Sequence, residues 1–88
     1  MTSRQVTIVN QRGLHARAAA KFVHVASRFE ARILVSRQSR EMDGKSIMGL
    51  MMLAAGPGSK VTLHVKGVDA VTAITELEAL VQRKFDED

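Results

Sequence analysis

The sequence predicts an α+β domain: a four-stranded antiparallel sheet with three helices against one of its faces. Three observations carry that reading. Four segments alternate apolar and polar residues with a period of two, and three others repeat apolar residues at helical spacing. These segments follow one another in the order βαββαβα. Each strand is apolar on one side only, so one sheet face needs helices and the other does not. The 88 residues are expected to form a single domain, residues 1–88, with no repeat and no interdomain linker.

The first strand is Arg4 to Val9, with Val6 and Ile8 on one face and Gln5 and Thr7 on the other. A polar turn, Asn10 to Gly13, leads into a helix from Ala16 to about Arg28, in which Ala19, Phe22, Val23, Ala26 and Phe29 form a core stripe. Its other face carries Ala16, Arg17, Ala20, Lys21, His24 and Ser27. Small alanines there would let another protein approach closely, although alanine is also the best helix former. Ala31 to Ser36 is the second strand, with Ile33 and Val35 inward. A turn at Arg37 to Ser39 leads to a short third strand, Arg40 to Met42.

A second, short helix runs from Ile47 to about Leu53, with Ser46 as its N-cap and Gly56 as its terminator. Pro57 forbids its continuation. Leu50 and Leu53 are expected to face the core, leaving Ile47, Met48 and Met51 on an outer face suited to docking. Core plugging by these side chains is the competing reading. Lys60 to Lys66 is the fourth strand, with Val61, Leu63 and Val65 inward and Thr62, His64 and Lys66 outward. Asp69 caps a third helix that buries Ala70, Ala73, Ile74, Leu77, Leu80 and Val81. The acidic tail Phe85 to Asp88 is expected to fray.

Composition excludes several classes. There is no cysteine, hence no disulfide and no thiolate metal site. The three histidines lie on a helix start, an outward helix face and an outward strand face, with no carboxylate cluster, so no metal is expected. The longest apolar run, Ile47 to Ala55 with Gly49 inside it, is far short of the roughly 20 residues of a membrane span. No segment reads as a signal peptide, and the expected location is cytoplasmic, with no membrane partner. The formal charge of +4 and pI near 10.1 raise nucleic acid as a partner. The basic residues are scattered, however, and there is no Trp or Tyr to stack on bases. Steering toward acidic proteins fits the charge equally well.

The chemistry concentrates at Gly13-Leu14-His15-Ala16-Arg17. His15 stands at the start of the first helix, where backbone N–H groups lack intrahelical partners and the macrodipole is positive. That end attracts anions and favours a neutral, nucleophilic ring. Arg17 adds a planar donor fork suited to phosphate oxygens. Together they read as phosphoryl chemistry on histidine. Gly44-Lys45-Ser46 invites a nucleotide-binding reading, but a P-loop needs glycine where this chain has Ser39. It is rejected.

Gly13 to Arg17, together with Gly44-Lys45-Ser46-Ile47-Met48 at matching spacing, resembles the HPr family, histidine-containing phosphocarriers of the phosphoenolpyruvate-dependent phosphotransferase system. The likeness spans nearly the whole chain. It implies an open-faced β-sandwich with strand order 1-4-2-3. His15 would accept a phosphoryl group from phospho-Enzyme I and pass it to IIA domains, aided by Arg17 and the amides of Ala16 and Arg17. The resemblance implies no cofactor and a stoichiometric carrier, read here as a monomer rather than an enzyme. It also makes Ser46 a candidate for regulatory phosphorylation by an HPr kinase/phosphorylase. Ala16, Ala20, His24, Ile47, Met48 and Met51 would form the partner-docking surface. Most sugar-transport members have proline after the arginine, where this chain has Ala18. That feature resembles the nitrogen-branch paralogue NPr, so a regulatory output stands beside sugar transport. RNA-binding RRM domains share the βαββαβ order, but the outward residues Gln5, Thr7, Thr62 and His64 supply no aromatic platform.

Overall fold

The computed structural model describes residues 2–87. The strands are β1 (Thr2–Thr7), β2 (Arg32–Arg37), β3 (Arg40–Asp43) and β4 (Lys60–Lys66). The helices are α1 (Ala16–Ala26), α2 (Ile47–Met52) and α3 (Ala70–Gln82), followed by a 3-10 turn at Lys84–Asp86. The sheet runs β1-β4-β2-β3 and every pair is antiparallel. This is the order implied by the resemblance.

The order puts the most regular strand in the middle. In β4, Val61, Leu63 and Val65 are buried in strict alternation. Val61 pairs with Val6 of β1, while Leu63 and Val65 pair with Val35 and Ile33 of β2. The resulting apolar face meets Phe22, Leu50, Leu53, Ile74, Leu77, Leu80 and Val81 from the three helices, all buried. The opposite face is polar. There His64 is half-buried rather than fully solvent-facing, because Ser3 and Ser36 hydroxyls bond its two ring nitrogens at 3.0 and 3.1 Å. Phe22 and Phe85 are buried and Phe29 packs against the core. All three aromatic side chains are thus committed to the core, leaving the open face without a stacking platform for bases.

Four local expectations need correction. The buried stripe of α1 is Ala18, Ala19, Phe22, Val25 and Ala26; Val23 and Phe29 are only partly covered. Val25 lines one groove together with Leu80 of α3. The terminator of α2 is Ala54, in the left-handed region at φ +52°, and not Gly56. Arg40 and Arg37 take the free carbonyls of Met52 and Leu53 at 2.6 and 3.2 Å, a cationic C-cap from the neighbouring hairpin. Asp69 occupies the N-cap of α3 but makes no side-chain cap bond. Its carboxylate instead accepts from the backbone N–H groups of Glu30 and Ala31 at 2.8 and 2.9 Å, tying the α1–β2 connection to α3.

The fourth correction is the tail. Phe85 is 1% exposed, so the segment after α3 is anchored in the core instead of frayed. Asp88 lies outside the described residues. No helix among the described residues is long and apolar enough to cross a membrane.

Candidate functional site

Gly13 builds the loop that presents His15. Its φ is +66°, a left-handed conformation cheap only for glycine. A Cβ there would lie 2.5 Å from the Ala55 carbonyl oxygen and 2.8 Å from the Gly56 Cα. The next residue, Leu14, is buried and donates its N–H to the Ala55 carbonyl at 2.8 Å. The loop before α1 is therefore bolted to the segment leaving α2.

His15 follows as the N-cap of α1, with extended backbone. Its Nδ1 accepts the Arg17 backbone N–H at 3.2 Å. A nitrogen that accepts a hydrogen bond carries a lone pair, so Nδ1 is the bare nitrogen and it faces the helix terminus. The other nitrogen, Nε2, bonds the Glu87 carboxylate, which can only accept. The proton therefore sits on Nε2. Among the described residues, three groups thus fix the ring: its own cap position, the Arg17 amide and Glu87.

Glu87 is held in turn by Asn10. The buried Asn10 amide donates to the Gly13 carbonyl at 2.8 Å and to Glu87 Oε1 at 2.9 Å. Flipping that amide would set its oxygen against a carbonyl and a carboxylate, so its orientation is determined. The Asn10 bond, aided by the bond from His15, holds the Glu87 carboxyl below its usual value of 4.5. The positive helix end was one field expected at His15. The carboxylate supplies a second, opposite field that was not expected.

The turn that delivers Glu87 is backbone-strained. Lys84, Phe85 and Asp86 have φ of +61°, +54° and +62°, and a left-handed L-residue costs about 1–2 kcal/mol each. Burial of Phe85 holds this turn, together with Asp86, which bonds Arg83 at 2.7 Å and Lys21 of α1 at 3.0 Å. Those two cations hold the Asp86 carboxyl below its usual 3.8.

Arg17 is exposed. It lines a cleft of about 410 Å³ with Arg12, Lys21, Phe85, Asp86 and Glu87. The cleft thus holds three cations beside Glu87, the residue bonded to the His15 ring. Among the described residues Lys21 pairs with Asp86, while Arg12 and Arg17 form no ion pair, an arrangement suited to a multiply charged oxyanion. Ala16, Ala20 and His24 are exposed along α1. On α2, Ile47, Met48 and Met51 are 43%, 74% and 44% exposed, while Leu50 and Leu53 are buried as expected. Met52, not expected on this face, is 54% exposed and joins the other three around one apolar groove. Ser46 caps α2 as anticipated, its hydroxyl accepting the Gly49 N–H at 3.0 Å. No group of three or more histidines, cysteines and carboxylates that could hold a metal occurs among the described residues.

A protein-family model described as PTS HPr component phosphorylation site matches residues 2–83. The chain belongs to the HPr family. Its relatives include the phosphocarrier protein HPr of Cupriavidus necator, 49% identical over 99% of this chain and 98% of that one. They also include the phosphocarrier protein NPr of Shewanella violacea, 48% identical over 96% of this chain and 92% of that one. A crystal structure of HPr from Thermoanaerobacter tengcongensis superposes with a TM-score of 0.96 at 41% identity, covering 100% of this chain and 99% of that one. The HPr family comprises phosphocarriers of the phosphotransferase system, so this chain is a carrier of phosphoryl groups. The matched region contains His15, Arg17 and Ser46 and ends before Phe85 and Glu87.

Sequence reasoning missed Asn10 and Glu87. They lie 77 residues apart, and only tertiary structure joins them. The one available signal was an aromatic residue, Phe85, inside an otherwise charged tail.

Proposed function

We propose that His15 carries the phosphoryl group on Nδ1, taking it from phospho-Enzyme I and giving it to IIA domains. The observation that supports this most is the bare Nδ1 at the N-terminus of α1, beside Arg17. In the accepting step the Nδ1 lone pair attacks phosphorus. A bond from Nδ1 to phosphorus forms while the donor's nitrogen–phosphorus bond breaks, and that bond's electron pair returns to the donor imidazole. The Arg17 N–H, freed from Nδ1, turns to a phosphoryl oxygen together with the Ala16 amide and the Arg17 guanidinium. Nε2 keeps its proton, so the phosphorylated ring is a cation. In the donating step an acceptor nitrogen attacks phosphorus and the electron pair returns to Nδ1, which leaves as neutral imidazole. The protein supplies position and charge, and no cofactor enters.

Docking is assigned to Ala16, Ala20 and His24 of α1 and to Ile47, Met48, Met51 and Met52 of α2. The bond from the Leu14 N–H to the Ala55 carbonyl, and the close approach of Gly13 to Ala55 and Gly56, keep these two surfaces in register. A phosphate on Ser46 would gain from the start of α2 but repel acidic partners; Ser46→Asp should weaken Enzyme I binding in calorimetry. The protein is expected to work as a cytoplasmic monomer. A nitrogen-branch output is a second reading, favoured by Ala18 and by the 48% identity to an NPr protein. Which IIA domain drains the labelled protein fastest decides between them.

The deciding experiment incubates the protein with Enzyme I and phosphoenolpyruvate and reads intact mass. An acid-labile phosphoryl adduct is expected in the wild type and absent in His15→Ala with the fold retained. Equal labelling of the two proteins would refute the assignment.

A further inference from the structure

We propose that Glu87 is a positioning residue for His15: its carboxylate, aimed by Asn10, holds the proton on Nε2 and so keeps Nδ1 free to take and release the phosphoryl group. The inference rests on the carrier reading of His15 and adds to it a residue outside the matched family region.

The geometry is directional. Glu87 presents two oxygens, one to Asn10 Nδ2 and the other to His15 Nε2. Asn10 is fixed by its second bond to the Gly13 carbonyl, within the loop that carries His15. The carboxylate is therefore referenced to the same loop as the ring it touches. An acceptor at Nε2 can satisfy only the tautomer in which that nitrogen bears the hydrogen. The same contact serves both directions of transfer. Before transfer, the ring is neutral with Nδ1 bare. Once the bond from Nδ1 to phosphorus forms, the ring becomes cationic, with its Nε2–H already against a carboxylate. Nothing has to be deprotonated between accepting and donating. Glu87 touches neither phosphorus nor donor, so it acts through the imidazole alone.

The turn carrying Glu87 is set by Phe85, and its left-handed residues Lys84 to Asp86 bend the chain back across α1 toward the ring. Asp86 fastens that turn to Lys21. The position of Glu87 is thus determined at both ends of its contact: by the core below and by Asn10 beside it.

The test compares wild type, Glu87→Ala and Glu87→Gln by nitrogen-edited proton NMR at neutral pH and by transfer from Enzyme I. The His15 Nε2 proton should give a protected signal in the wild type. Glu87→Ala should lose that signal to water exchange, and its transfer kcat/KM should fall by about ten- to a hundredfold through misorientation of the ring. Glu87→Gln, whose amide oxygen still accepts but bears no charge, should keep the signal and lie between the two in rate. Wild-type transfer in Glu87→Ala, or a signal unchanged by that substitution, would overturn the proposal. A wild-type protein that takes no phosphoryl group refutes the carrier reading instead, and the NMR comparison still decides whether Glu87 positions the ring.

Discussion

The starts of α1 and α2 are built on one plan and differ in what surrounds them. Each has an extended N-cap residue whose side chain accepts a backbone N–H from its own first turn: His15 from Arg17, and Ser46 from Gly49. At Ser46 the bond is local, and the helix beyond displays Ile47, Met48, Met51 and Met52 to solvent. At His15 the cap is gripped from outside as well, by Glu87 and through it by Asn10, with the exposed Arg17 beside it. A helix N-terminus supplies amides and a positive end in both cases. What sets the His15 terminus apart, and suits it to the phosphoryl chemistry proposed for it, is the long-range fixing of the cap side chain. The other is left as a local cap beside an adhesive apolar patch.

The largest expected effect breaks that outside grip. Phe85→Ala removes a fully buried aromatic anchor and should cost about 3–5 kcal/mol. Urea denaturation reads the cost, while slower transfer from Enzyme I would report the loosened ring. A loss below about 1 kcal/mol would mean that the 3-10 turn is not held by its aromatic. The cap bond from Ser46 to Gly49 should survive this change, because no part of it depends on the tail. Next in size, Ser46→Ala removes the local cap of a six-residue helix and should cost about 0.5–2 kcal/mol. Labelling of His15 by a saturating donor should be unchanged. A transfer defect without a binding defect would show that the two starts are coupled through the Leu14–Ala55 bond rather than independent.

The contrast also marks what the amino-acid sequence could disclose. Periodicity located all four strands and three helices, because each element buries one face and its apolar residues repeat accordingly. Strand order could not come from that source, since alternation says which face a strand buries and nothing about its neighbour; it came from family resemblance. Ser46 was readable as a cap because its partner lies three residues away. His15 and Arg17 were readable for the same reason of nearness. Glu87 was not, being 72 residues from the ring it touches, in a tail whose charge suggested solvation. Asp69 misled in the opposite sense: it has the right type and place for a cap, but two backbone donors at Glu30 and Ala31 made better use of its carboxylate.

The smallest expected effect sharpens the comparison by acid. The Glu87 carboxyl lies below 4.5 in the folded protein because Asn10 and His15 favour its charged form. A carboxyl with a lowered folded-state value contributes stability that is fully present above its unfolded value and is lost as pH falls through the folded one. Wild type should therefore exceed Glu87→Gln in Tm at neutral pH, and the gap should close below pH 4.5. Asp86, lowered from 3.8 by Lys21 and Arg83, titrates in the same acid range, so the comparison is repeated in an Asp86→Asn background. A gap that persists unchanged into acid would assign the stabilising role to the shape of the residue and not to its charge. The Ser46 cap, whose hydroxyl does not ionise in this range, provides the internal reference. Ser46→Ala should differ from wild type by the same amount at every pH, and only the His15 end of the comparison should move.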